Sequence, residues 1–315
     1  MRSFKKILKS FLIKIFSVIL FLLIAVSFVS AQDFPTDSTD KSKKDTVYYS
    51  LKFRAGDTLI YNVNAQDSII IDFGVPLKKN RQEKIRIVCD SVNAMSHYFL
   101  SQTMIYSESD EKYGAEEVKS RISNPWLNRK VWYEIDSLGN RYSYNVDDSA
   151  KATMAPGGAF QPHLFFAFQK QSATVNQTWI AQATVDLPEN GVPVPLLRES
   201  LLCRAHKRLD TLGDTCSRFE FIKTAQGNIK LYTNDTLQVT CIVSGFGIYT
   251  LSEKRNIPVH YFSTVEQKLT MTFPDGNVKP GMHYQNVYFK LESFKHAKSK
   301  TNSSKQLQKN KKKIR

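Results

Sequence analysis

From about residue 47 to 292, apolar and polar side chains alternate in short runs rich in Val, Ile, Tyr, Phe and Thr. Such runs occupy residues 58–63, 68–73, 84–89, 97–106, 129–135, 142–146, 217–224, 238–243, 248–252, 259–272 and 285–291. A period of two puts one set of side chains on each face of a strand, so each run predicts a strand with one buried face. Asp136-Ser137-Leu138-Gly139-Asn140, Leu212-Gly213-Asp214 and Pro274-Asp275-Gly276-Asn277 supply turn chemistry between runs. Helical periodicity is confined to short stretches, chiefly near 160–171. The pattern predicts an all-β protein with few short helices.

A faint internal correspondence refines this. Gly56-Asp57-Thr58-Leu59-Ile60 resembles Asn176-Gln177-Thr178-Trp179-Ile180 at an offset of 120, and the aromatic runs around Tyr133 and Tyr249 lie 116 apart. This predicts pseudo-repeats over 47–150 and 172–292 that share one core; chance likeness between amphipathic strands is the competing account. Between them, Pro162 is suited to the first turn of a short helix. Leu164, Phe165, Phe166 and Phe168 would form its apolar face, either as a connector packed into the core or as a lid over an apolar cavity.

The ends of the chain change the charge picture. Arg2, Lys5, Lys6, Lys9 and Lys14 precede an apolar run from Ile15 to Phe28, then Val29-Ser30-Ala31. This reads as a secretory signal over 1–31, cut before Gln32. At about 14 residues the run is shorter than the ~20 that span a bilayer. Residues 32–46 read as a polar linker, 47–294 as one β-rich domain, and 295–315 as a basic disordered tail. The formal net charge is +15, but leader and tail hold 14 of the 44 basic residues, leaving 30 against 29 acidic ones. The domain is therefore electrically balanced, and no specific nucleic-acid binding is expected of it. The tail is suited to contact with anionic envelope components through charge alone. The expected location is the periplasm or cell envelope, soluble after cleavage.

Cys89, Cys203, Cys216 and Cys241 allow two disulfides in three pairings. A hairpin turning near Asp210–Gly213 would set Cys203 opposite about residue 220, so Cys216–Cys241 is as good a candidate as Cys203–Cys216. The absence of CxxC, HExxH, Walker or nucleophile-elbow patterns gives no cofactor, metal or catalytic residue to name. The six histidines are scattered, and adjacent acids such as Glu116-Glu117 point to opposite faces of a strand.

Ten of the 17 Asp residues precede Ser or Thr, and nine of these continue with a small or aliphatic residue. Turn formation by Asp side chains is one reason for such pairs. The tripeptide also resembles the acceptor pattern of the O-glycosylation system of Bacteroidetes-type bacteria. That resemblance implies Thr46, Thr58, Ser68, Ser91, Ser137, Ser149, Thr211 and Thr236 as acceptors.

With its leader, Gly56-Asp57-Thr58-Leu59-Ile60-Tyr61, the Asp136–Asn140 hairpin and Thr174-Val175-Asn176-Gln177-Thr178-Trp179, the chain resembles uncharacterised exported proteins of Bacteroidetes-type bacteria. Their expected fold, a large curved antiparallel sheet or open half-barrel, is similar to that of the lipoprotein carriers LolA and LolB. The lipidated cysteine of LolB is missing. The resemblance implies a non-catalytic envelope protein holding a lipid, a lipoprotein acyl chain or another amphipathic ligand in a concave sheet. Phe165, Phe166, Phe168 and Trp179 are the candidate ligand-binding residues. A structural or interaction module with its cup filled by its own side chains is the alternative, and a hydrolase assembled from distant strands a third reading.

Overall fold

The computed structural model describes residues 46–122, 124, 126–146, 164–189, 192–232 and 236–297. Leader and basic tail lie outside them. The strands are β1 (Thr46–Tyr48), β2 (Thr58–Ile71), β3 (Leu77–Val92), β4 (Tyr98–Tyr113), β5 (Lys119–Arg121), β6 (Lys130–Ile135), β7 (Arg141–Val146), β8 (Ser172–Thr174), β9 (Thr178–Glu189), β10 (Val192–Ala205), β11 (Leu209–Thr211), β12 (Asp214–Tyr232), β13 (Thr236–Ser252), β14 (Ile257–Thr272) and β15 (Val278–Lys295). The fold is all-β, as the alternation predicts. The expected few short helices do not occur among the described residues.

One antiparallel sheet runs in the order β7-β6-β4-β3-β2-β15-β14-β13-β12-β10-β9, with β5 beside β4 and β11 beside β12. It curls into a nearly closed half-barrel whose edge strands β7 and β9 approach each other. Thr58 and Thr178, the landmarks of the internal correspondence, open the first long strand of each half. Strong curvature needs close backbone approach on the inward face. At Gly247 an added Cβ would strike the Phe221 ring and the Phe262 carbonyl, so only glycine fits where β13 meets β14.

Several runs separate in the sequence are single strands here. Residues 58–63 and 68–71 both belong to β2, and 238–243 and 248–252 both belong to β13. Phe73, expected in a strand, sits in the β2–β3 turn with positive φ and is 88% exposed.

The main core lies at one end of the half-barrel. Val47, Tyr49, Leu51 and Phe53 enter it from the N-terminal segment, and Leu164 to Phe168 from the connector. The ribbon of β1 and β8 holds these two segments side by side. Leu164, Phe165, Phe166, Ala167 and Phe168 are all buried in an irregular segment, so they do not form the one-sided helical face predicted for them. Five successive buried residues have no solvent-facing side, which a surface helix would require. Of the two roles weighed for this connector, the described part is packed into the core.

Candidate functional site

The inward face carries two layers of different chemistry. At the plugged end, the Tyr49 ring lies tilted at 4.6 Å from Phe168, which lies 5.1 Å from Phe219 and 5.3 Å from Tyr249. Phe166 lies 4.9 Å from Phe221 and 5.0 Å from Tyr261. Phe165 meets Phe53 and Tyr133. Such tilted and edge-on pairs add to the burial of each ring.

Three polar atoms of the plug are satisfied by nearby backbone carbonyls, while the Tyr249 and Tyr261 hydroxyls have no hydrogen-bond partner among the described residues. The Tyr49 hydroxyl donates to the Phe166 carbonyl at 2.7 Å, Tyr61 to the Pro258 carbonyl at 2.8 Å, and Trp179 Nε1 to the Phe168 carbonyl at 2.8 Å. Burial pushes the hydroxyls of Tyr49, Tyr61, Tyr249 and Tyr261 well above their ordinary range, keeping them neutral. Gly139, with φ of 80°, brings the β6–β7 turn against the Phe166 carbonyl, where no other side chain would fit. Phe165, Phe166, Phe168 and Trp179 are thus brought into one cluster, as neighbours of each other and of the wall.

Beyond the aromatics lies a polar belt. Register places Asp67 opposite Gln285, Gln285 opposite Val265, Val265 opposite Gly245, and Gly245 opposite Lys223, a single row across five strands. Asp67 accepts from Arg81 Nε at 2.6 Å, His283 Nε2 at 2.7 Å and Gln285 Nε2 at 2.9 Å. An ionised carboxylate only accepts, so His283 is the donor in that pair. Arg81 also pairs with Glu83. A second ion pair, Lys223 Nζ to Glu199 at 2.6 Å, stands further round the same face. All six charged or ionisable side chains are buried.

The electrostatics of the belt follow from that burial. Desolvation pushes the Asp67 carboxyl upward, but the His283 bond and the Arg81 charge outweigh it and hold the group at about 2. Glu83 goes the other way: burial raises it, Arg81 offsets this only in part, and its Oε2 has no hydrogen-bond partner. Arg81, flanked by both carboxylates, is raised despite its burial. Among the described residues no group of three or more His, Cys, Asp or Glu could hold a metal ion.

All four cysteines are free and buried. Cys216 stands opposite Ser252 of β13, and Cys241 lies eleven residues away along that strand, about 36 Å at strand rise. The candidate Cys216–Cys241 disulfide is therefore not formed, since Cα atoms must come within about 7 Å. Cys203 stands opposite Phe221, one residue from the expected position, which keeps it from Cys216 as well. Burial lifts the Cys89, Cys203 and Cys241 thiols to about 12 and Cys216 to about 11.

Among the candidate acceptors, Ser91 is exposed, while Thr46, Thr58, Ser68, Ser137 and Thr211 are half-buried. Thr236 opens β13, and Ser149 lies outside the described residues. Several preceding Asp residues have structural work. Asp136 accepts from the backbone of Leu138 and Asn140, closing its turn. Asp57 accepts from the Arg54 and Ala297 backbone. On the outer surface, Asn62, Asn64, Gln82, Lys84, Tyr106 and Lys290 border a shallow depression of about 480 Å³.

No protein-family model matches the chain, and neither does any curated protein. Among the solved structures to which the chain is similar are the following two. One is of lipovitellin and its lipid–protein interactions, at 11% identity and a TM-score of 0.42, covering 80% of this chain. The chain spans 27% of that protein's length. The other is the β domain of the Bordetella autotransporter BrkA, at 8% identity and a TM-score of 0.26, covering 75% of this chain and 99% of that one.

Proposed function

We propose that this is a non-catalytic, exported module of the cell envelope whose described interior serves its own fold and whose surface makes its contacts. The plug carries this reading. The four residues best suited to grip a greasy guest are spent on the protein's own rings, Phe165 on Phe53 and Tyr133 and the others on Tyr49, Phe219, Phe221, Tyr249 and Tyr261. Export to the periplasm or envelope is the role of the leader in residues 1–31. The Asp67–His283 pair has the partners of an acid–base dyad, yet both side chains are buried among other belt residues, out of a substrate's reach.

One observation favours a second reading. Leu197, Val239, Cys241, Val243, Val265 and Met271 form an apolar cluster separate from the plug. A lipid or lipoprotein acyl chain lodged there would rest between an aliphatic wall and the Lys223–Glu199 pair. The Asp-Ser and Asp-Thr sites add a proposed modification, with exposed Ser91 the most accessible acceptor described.

Mass spectrometry on protein from the exporting cell tests these readings together. Under native conditions the module should fly without retained lipid; a stoichiometric lipid adduct would overturn the closed-interior reading in favour of the second. After denaturation the mass should exceed that of the cleaved polypeptide by sugar-sized increments, and the bare polypeptide mass would end the glycosylation proposal.

A further inference from the structure

The outer face of one part of the sheet breaks the alternation expected of a solvated surface. Ile180 of β9, Leu202 of β10, Ile222 of β12 and Phe246 of β13 stand opposite one another in a single row. They are 67, 47, 56 and 53% exposed. Phe262 of β14 extends the patch, its ring 6.3 Å from that of Phe246. The row on one side is Gln182, Ser200, Thr224 and Ser244, without a charge. The row on the other side contains Arg204 opposite Glu220, then Ile248; within its own chain Glu220 lies 2.7 Å from His206 Nε2 and 3.8 Å from Arg218, and Arg204 donates to Asn176 at 3.0 Å. Contiguous exposed apolar side chains rimmed by polar ones mark an interaction surface.

We propose that this face binds a second copy of the same chain, sheet against sheet, about a two-fold axis parallel to the strands between β10 and β12. That axis keeps each row in place and exchanges the strands. Leu202 then meets Ile222 of the second copy, and Ile180 meets Phe246. Arg204 meets Glu220 of the second copy, and Glu220 meets Arg204. Every contact occurs twice, as an isologous interface demands. Charge complementarity selects this occupant. A lipid surface would leave Glu220 against the headgroups, whereas self-pairing uses both signs and buries the uncharged row against itself. Four strands spaced about 4.8 Å apart give a small apolar centre, so the dimer is a reversible one rather than an obligate one.

Sedimentation of the chain purified after export, without its leader, over a wide concentration range tests this. The unmodified chain should pass from monomer to dimer. Ile222→Glu should remain monomeric, because it places two carboxylates in the apolar centre. Arg204→Glu should weaken dimerisation at least about tenfold, since it sets like charges face to face twice. The double change Arg204→Glu with Glu220→Arg should restore it. These side chains are on the outside of the sheet, and a circular dichroism spectrum unchanged from the parent checks that each variant folds. A chain monomeric at every concentration, a dimer that survives Ile222→Glu, a double change that fails to rescue, or a monomer that instead sediments with phosphatidylcholine vesicles would each overturn the proposal.

Discussion

The aromatic plug and the polar belt line the same face of the same strands, and they hold the half-barrel by opposite physics. The plug removes large rings from water, a gain that accrues ring by ring at roughly 1.5–3 kcal/mol for each fully buried side chain. In the belt, Arg81, Asp67, Glu83, Lys223 and Glu199 are charges taken out of water, and their mutual attraction roughly cancels that cost. The plug is therefore additive in its parts, while the belt is worth keeping only as a whole. What the belt adds is register. Asp67 meets His283, Gln285 and Arg81 together only when β2, β3 and β15 are paired as they are here. A slip of one residue would turn Asp67 outward and leave Arg81 buried with Glu83 as its one remaining carboxylate.

The largest effect expected from a single substitution comes from the plug. Phe168 is fully buried, and Phe168→Ala removes its contacts with Tyr49, Phe219 and Tyr249 at once. The loss should be about 3–5 kcal/mol in urea unfolding. Trp179, whose indole donates to the Phe168 carbonyl, offers a fluorescence signal for the same transition. A loss under about 1 kcal/mol would mean that the connector does not help to hold the fold.

The belt should respond differently. Arg81→Met alone strands the buried Glu83 and leaves Asp67 only His283 and Gln285, and should cost about 3 kcal/mol. Changing Asp67→Asn, Arg81→Met and Glu83→Gln together should recover most of that loss. Equal destabilisation by the single and the triple change would show that the belt, like the plug, is a sum of independent contacts.

This contrast also explains what was legible beforehand. The plug announces itself, because Leu164, Phe165, Phe166 and Phe168 are apolar and close in sequence, and aromatic alternation brings Tyr249 and Tyr261 to the same face. Its irregular backbone was not legible, since a short apolar cluster after Pro162 fits a helix as well as a buried crossing. The belt was hidden by its own chemistry. Charged residues within 64–67 and 81–83 look like strand ends, which splits β2 into two runs and starts β3 late. The available signal was phase: Arg81 and Glu83 keep step with Ile85, Ile87 and Cys89, and His283 and Gln285 with Val287, Phe289 and Leu291. Partners such as Asp67 and His283, 216 residues apart, become visible only through the β2–β15 pairing that joins the two halves. The distance between Cys216 and Cys241 is hidden for a related reason, because it depends on β13 being one continuous strand.

Acid should sharpen the difference between the layers with the smallest effect of the three. The Asp67 carboxyl moves from an ordinary 3.8 down to about 2 on folding, so the folded protein holds this proton less tightly than the unfolded chain. A depressed carboxyl contributes stability above its unfolded value and loses it as pH falls through its folded value. The contribution is about 2 kcal/mol, present at pH 5 and gone near pH 2. Glu83 has the opposite sign: its raised folded value favours the folded state while the group is protonated, and that advantage fades as pH rises. The acid limb due to Asp67 is therefore isolated by comparing the parent with Asp67→Asn in urea titrations from pH 5 to 2. The gap between them should narrow by about 2 kcal/mol over that range, whereas the gap between the parent and Phe168→Ala should stay constant, because no proton is bound or released by the ring. If both gaps narrow alike, acid is loosening the whole half-barrel, and the belt does not titrate as a unit distinct from the plug.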